Sequence, residues 1–378
     1  MLALASLTLS AYLALQSVRE IAQGVAEPEP ADLSVPRPPL GPAFARPNGF
    51  DVSSLSVPRT ELISGGPPRD GIPAIMNPTF VAADRALHVE PGDSVIGVVI
   101  GGEARAYPLR ILLWHEIVND VLAGEPLAIT YCPLCGTAMV FRSQWGETHL
   151  TFGVSGLLYN SDVLMYDHQT ESLWSQLKME AISGEMNGTR LEWLPSRQTT
   201  WVAWLEEHPN SLVLSEDTGH ARDYSIDPYP DYKQRVEPLF PVPRHREELA
   251  PMDWIAGVLV NGQAKAYPVK ALVDGIDLSD SIGGEPMVVR YHANADSITV
   301  ENGSGDAIPV VRAYWFAWQA NQWTRGCVAL RGPRRCRPVA DLPSGECYPL
   351  EGRLPPERGG EALAVGRGNR GSTVGDIV

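Results

Sequence analysis

Residues 97–136 read GVVIGGEARAYPLRILLWHEIVNDVLAGEPLAITYCPLCG, and residues 257–296 read GVLVNGQAKAYPVKALVDGIDLSDSIGGEPMVVRYHANAD. Laid over each other without a gap, Gly97-Val98, Gly102, Ala104, Ala106-Tyr107-Pro108, Leu112, Asp120, Gly124-Glu125-Pro126 and Tyr131 recur as Gly257-Val258, Gly262, Ala264, Ala266-Tyr267-Pro268, Leu272, Asp280, Gly284-Glu285-Pro286 and Tyr291, always 160 positions on. A gapless recurrence of this length reads as an internal repeat, and it decides the expected fold.

Each copy has the pattern of a strand–strand–helix–strand unit. Val95 to Ile100 is an apolar strand, Gly101-Gly102 a tight turn, and a second strand runs through Ala106. Pro108 suits the first position of a helix and Gly124 its C-terminal stop, with Leu109, Leu112, Leu113, Ile117 and Val121 on one apolar face. Leu127, Ile129 and Tyr131 alternate as a half-buried strand, and Thr137 to Phe141 can pair back on it, which makes Cys132-Pro133-Leu134-Cys135-Gly136 a hairpin turn.

Between the copies, Leu150–Val154, Val163–Tyr166 and Leu212–Leu214 read as strands, and Thr199 or Thr200 caps a short helix, Trp201–Glu207, that ends before Pro209. The expected fold class is therefore α+β and β-rich: two diverged internal copies, about 95–141 and about 255–301, with a β-rich insert between them.

The 378-residue chain is long enough for a sizeable core. Its formal net charge of −15 leaves no basic surface for phosphates or anionic lipid, so no nucleic-acid partner is expected and a small-molecule ligand is. Leu2 to Val18 carry no charge and read as the core of a secretory signal or a membrane anchor, with Gly24-Val25-Ala26 a small-residue cleavage site. The expected organisation is a signal peptide or anchor at 1–26, a Pro-rich linker at 27–48, the folded domain at 49–320 and a disordered tail at 321–378, which turns Arg-, Gly- and Pro-rich (Arg331-Gly332-Pro333-Arg334-Arg335). Such a chain would work outside the cytoplasm: periplasmic, secreted or membrane-anchored.

The two copies differ where chemistry would sit. His115 aligns with Gly275, Glu116 with Ile276, Asn119 with Ser279, Cys132 with His292 and Cys135 with Ala295. A Cys-Pro-x-Cys-Gly turn between strands has the form of a metal knuckle, whose backbone N–H groups point at the thiolates. Cys132 and Cys135 would be half of such a site, for a zinc, iron or copper ion, and His115 the nearest third ligand. Two cysteines separated by two residues can equally form a reducible disulfide, or a structural one that only pins the hairpin.

His115-Glu116-Ile117-Val118-Asn119 resembles half of a zinc helix, but Asn119 stands where a second imidazole would be needed. Gly153-Val154-Ser155-Gly156-Leu157 falls short of a nucleophile elbow. Asp167 is a candidate base or a turn residue, and Trp174-Ser175-Gln176 a pocket wall or core.

With these residues assembled, the chain resembles the domain-of-unknown-function family 3179 of bacteria and archaea. The stretches that carry the resemblance are Asp70-Gly71-Ile72-Pro73-Ala74, Ala106-Tyr107-Pro108, Trp114-His115-Glu116-Ile117-Val118-Asn119-Asp120, Tyr131-Cys132-Pro133-Leu134-Cys135, Phe152-Gly153-Val154-Ser155-Gly156, Tyr159-Asn160-Ser161-Asp162, Met165-Tyr166-Asp167, Ser172-Leu173-Trp174-Ser175-Gln176 and Trp315-Phe316-Ala317-Trp318. The resemblance implies no established activity. It implies that the cysteine turn, the Trp-His-Glu segment and the Tyr-Asp strand belong to one set. His168 departs from the family's Arg, and the chain after Trp318 leaves the pattern.

Two functions are expected on this basis. One is an exported metal- or thiol-dependent enzyme, with Cys132, Cys135 and His115 as ligands, His115 alternatively a proton shuttle, and Glu116 or Asp167 as acid or base. The other is a non-enzymatic binding or scaffold module, with a groove lined by Trp114, Tyr159 and Trp174 and a structural disulfide.

Overall fold

In a computed structural model the residues described are 46–322, with the short strands 326–328, 337–338 and 347–348 beyond them. The expected leader, nearly all of the expected linker and most of the expected tail lie outside the described residues. The protein is β-rich with few helices, 40% strand and 14% helix, as the alternating patterns required. Among the described residues no helix is long and apolar enough to cross a membrane.

The chain enters through β1 (Leu62–Ser64) and β2 (Phe80–Ala82), then forms the hairpin β3 (Ser94–Ile100) and β4 (Glu103–Pro108) and a helix, Leu109–His115. β5 (Ile117–Leu122), β6 (Glu125–Cys132) and β7 (Thr137–Arg142) follow as a meander, and β8 (Gln144–Trp145) and β9 (Thr148–His149) as a small hairpin. A middle sheet takes β1, β10 (Phe152–Tyr159), β11 (Asp162–Asp167), β12 (Leu173–Ser175) and β13 (Glu180–Ala181) in that order. β14 (Glu192–Leu194) joins the edge of β7, β15 (Arg197–Thr200) pairs with β3, the helix Trp201–Glu207 follows, and β16 (Leu212–Leu214) runs parallel to β4.

The second segment again runs from a hairpin to a meander. β17 (Trp254–Val260) and β18 (Gln263–Pro268) pair as a hairpin, β19 (Leu278–Ile282), β20 (Glu285–His292) and β21 (Ser297–Asn302) as a meander. β22 (Val310–Tyr314) pairs with β17, the helix Trp315–Asn321 follows, and β23 (Gly326–Val328) runs parallel to β18. The registers agree at a shift of 160: Val95 faces Pro108 and Ile255 faces Pro268, Asp120 faces Leu127 and Asp280 faces Met287. In both segments a Tyr hydroxyl donates to the Asp thirteen residues on, Tyr107 to Asp120 at 2.6 Å and Tyr267 to Asp280 at 2.9 Å.

One expected element is corrected. The helix after Pro108 stops at His115, and 117–122 is a strand rather than its continuation. Glu116 closes the helix at φ 57° and ψ −31°, and the β-branched Ile117, Val118 and Val121 then pair with β6. Gly124 serves not as a helix stop but in the two-residue hairpin turn with Ala123, both at positive φ. In the second segment the helix shrinks to a 3-10 turn, Val269–Ala271.

The largest buried cluster lies where the segments meet. It combines Cys132, Cys135, Phe152, Trp174 and Leu177 with Ile255, Ala313, Trp315 and Trp318. Fully burying side chains of this size contributes on the order of 1.5–3 kcal/mol each. The cysteine turn is thus packed into the core between segments rather than displayed at a hairpin tip.

Candidate metal centre

β6 ends at Cys132 and β7 begins at its cross-strand partner Thr137. In the turn between them, the amides of Cys135 and Gly136 both donate to the Cys132 carbonyl, at 3.2 and 2.8 Å. The knuckle pattern expected these N–H groups to point at sulfur; they are used by the backbone instead. Gly136 sits at φ 67°, and a Cβ there would fall 2.3 Å from the Trp254 ring, so only glycine fits. The Cys135 carbonyl accepts from Tyr314 N at 2.9 Å, which ties the turn to the second segment. Both thiols are free and buried, and Cys135 Sγ donates to the Ser161 carbonyl at 3.2 Å.

Opposite the sulfurs stands the hairpin joining β10 to β11. Asn160 and Ser161 take φ 50° and 65°, the left-handed pair that a tight two-residue hairpin turn needs, which accounts for Tyr159-Asn160-Ser161-Asp162. The turn delivers Asp162, fully buried, at the start of β11. Its Oδ2 accepts from Leu177 N at 2.9 Å and Ser175 Oγ at 3.1 Å, while its buried Oδ1 has no partner among the described residues. Cys132 Sγ, Cys135 Sγ and an Asp162 oxygen all lie within 4.8 Å of one another.

The electrostatics of this group are unusual. Burial pushes Asp162 up to about 7, against the hydrogen bonds from Leu177 and Ser175. Burial also raises the Cys135 thiol well above its ordinary value. Glu116, 7% exposed and at its strained helix-ending φ, is pushed up to about 8 by burial and then by the Asp162 charge. Two buried thiols and two buried carboxyls meet here, and such groups hold protons or a metal ion, because buried anions left uncompensated are too costly.

The surroundings hold the site rigid. Gln176 donates to Thr130 Oγ1 at 2.8 Å and accepts from Thr137 Oγ1 at 2.5 Å, locking the segment after β12 onto the cysteine hairpin. Tyr232 donates to the Leu134 carbonyl at 2.8 Å and Ser161 to the Phe240 carbonyl at 3.2 Å, so the irregular stretch around 229–240 roofs the turn. Exposure is 1% at Cys132 and 0% at Cys135, and 6–8% at Tyr131, Glu116 and Leu134 beside them.

His115, the expected third ligand, does not join this group. It is fully buried, with Nδ1 at 2.7 Å from the Pro73 carbonyl and Nε2 at 2.7 Å from the Tyr224 hydroxyl. A carbonyl can only accept, so Nδ1 carries the proton and Nε2 accepts from Tyr224. Burial lowers its pKa to about 4, which keeps the ring neutral. Asp162, and not His115, lies with the two sulfurs.

Asp167 is a turn residue: it accepts from Thr170 N and Oγ1 and from Trp174 Nε1 at 2.9 Å. Asn119 accepts from Phe152 N at 2.7 Å and donates to Phe152 O at 2.8 Å, joining β5 to β10. Ser155 spends its hydroxyl on the Leu164 carbonyl. Trp114, Tyr159 and Trp174 fall in three different core clusters and line no common groove. The residue that sequence reasoning missed as a ligand is Asp162; its only signal was its place after a two-residue turn.

A family model described as "Protein of unknown function (DUF3179)" matches residues 69–307, well over half the chain. Searches of curated proteins and of solved structures gave no match.

Proposed function

The chain belongs to the DUF3179 family, and on that premise we propose that it is a metalloprotein whose ion is held by Cys132, Cys135 and Asp162. One observation carries this reading: two thiols and a carboxylate lie mutually within 4.8 Å in a buried site where one carboxylate oxygen lacks a protein partner. Ligands of a tetrahedral zinc sit roughly 2.0–2.3 Å from the ion, so side-chain movements of the order of an ångström would close the set. Two soft thiolates with one hard carboxylate suit zinc or ferrous iron best.

Three protein ligands leave a fourth position open, the arrangement of catalytic rather than structural metals. Glu116, beside Asp162 and with a carboxyl poised near neutrality, is the group to move a proton at that position. A small-molecule substrate at the open position is the corresponding partner.

We read the two segments as diverged copies, supported by the matched registers at a shift of 160 and by the paired Tyr–Asp bonds. The two cysteines then belong to the first copy alone, since His292 and Ala295 replace them in the second, and Asp162 comes from the insert between the copies. Leu2 to Val18 support export of the chain.

Cobalt(II) substitution tests the site. Thiolate-to-cobalt charge-transfer absorption is expected in the native chain and should vanish in Cys132→Ser and in Cys135→Ser. Absence of that band in the native chain would overturn the reading.

A further inference from the structure

We infer that Cys132 and Cys135 also form a dithiol–disulfide couple, open to a small hydroperoxide and closed to bulky oxidants. The geometry of the turn supports the bond. The Cys135 amide bonds to the Cys132 carbonyl, closing a β-turn whose end Cα atoms lie within about 7 Å. Disulfides span Cα separations of about 4.4–6.8 Å, so no rearrangement of the hairpin is needed. The side chains already converge, the two sulfurs lying within 4.8 Å of each other.

Burial selects the oxidant. Cys132 is 1% exposed, and its neighbours Tyr131, Glu116 and Leu134 are 6–8% exposed. Enclosure of this degree bars a peptide disulfide from bringing its sulfur in line for exchange and leaves a two-heavy-atom peroxide as the oxidant of the right size. Cys132, the less enclosed of the pair, attacks the peroxide. Its sulfur bonds to one oxygen, the O–O bond breaks, and the other oxygen leaves as water with the thiol proton, giving Cys132 sulfenic acid. Cys135 then attacks that sulfur, the S–O bond breaks, and water departs with the Cys135 proton, which Asp162 is placed to relay. Overall two thiols and one peroxide give one disulfide and two waters.

Loss of a bound ion on oxidation rests on the metal reading above, because a disulfide no longer offers thiolates; the couple itself does not. The test uses the full chain with Cys327, Cys336 and Cys347 changed to Ser, so that one pair remains. It is treated with hydrogen peroxide or with glutathione disulfide at equal oxidising equivalents. Peroxide is expected to make the peptide holding Cys132 and Cys135 lighter by two hydrogens and refractory to alkylation, with release of one ion to a chromogenic chelator. Glutathione disulfide is expected to leave both thiols alkylatable. In a Cys135→Ser version, dimedone should trap a sulfenic acid on Cys132.

Thiols that stay reduced, or that gain two oxygens without cross-linking, would overturn the couple. Equal reaction with glutathione disulfide would overturn the size selection. A disulfide forming in protein that never held an ion would leave the couple standing and sink the metal reading. An ion kept on intact thiols through excess peroxide would do the reverse.

Discussion

Asp162 faces the Cys132–Cys135 turn, one of its oxygens and both sulfurs lying mutually within 4.8 Å. One carboxylate oxygen is anchored by Leu177 and Ser175 and the other is buried and unpartnered, so the carboxylate is aimed as well as placed. Asp162→Asn keeps the shape and can still accept from Leu177. It should lower metal affinity at least ~10-fold, since even groups that only orient a metal's ligands are worth roughly 10–100-fold, as read by competition with a chelator. Unchanged affinity would remove Asp162 from the ligand set.

Metal affinity should fall steeply as pH drops below about 7, where Asp162 regains its proton and the raised Cys135 thiol holds its own against the ion. Proton release on binding, followed in weakly buffered solution, checks this. A flat affinity between mildly acidic and neutral pH would contradict it.

Without metal, Glu116 should cost stability as pH rises. Its folded pKa of about 8 lies above the ordinary 4.5, so between these values the folded state binds more protons than the unfolded one and stability declines with pH. The loss is complete above about 8 and absent below about 4.5. Glu116→Gln should flatten that slope and leave the metal-free protein more stable than the parent at pH 8, by denaturant titration.

His115→Ala should destabilise the fold by about 2–4 kcal/mol while leaving metal content unchanged, because it strands the Pro73 carbonyl and the Tyr224 hydroxyl. Loss of metal from a variant that still folds would return His115 to the ligand set.

Gly97→Ala and Gly257→Ala should each cost about 1–3 kcal/mol by overpacking. A Cβ at Gly97 meets the Trp204 ring at 2.2 Å, and one at Gly257 meets Trp318 at 2.5 Å. Comparable losses in thermal denaturation would mark the helix docking as the same device in both segments.

Local patterns made the hairpins, among them β6–β7 at the cysteine turn, and the helix Trp201–Glu207 legible in the sequence, the last with its Thr200 cap. The run Leu109 to Val121 misled because its apolar spacing also fits a helix followed by a strand; only the positive φ at Glu116 separates the two. The site was half legible. Cys132 and Cys135 are neighbours along the chain, but Asp162 reaches them because the β10–β11 hairpin packs on the cysteine turn, a non-local contact that no spacing encodes. His115, which aligns with Gly275, is occupied by its bonds to Pro73 and Tyr224 and lies outside the cysteine group.

The most direct test of the metal centre is the metal content of the purified full chain, set beside Cys132→Ser and a variant with Cys327, Cys336 and Cys347 changed to Ser. One ion per chain is expected in the parent and in the triple variant, and none in Cys132→Ser. A parent that holds no ion after metal loading, or a Cys132→Ser protein that keeps its ion, would contradict the account.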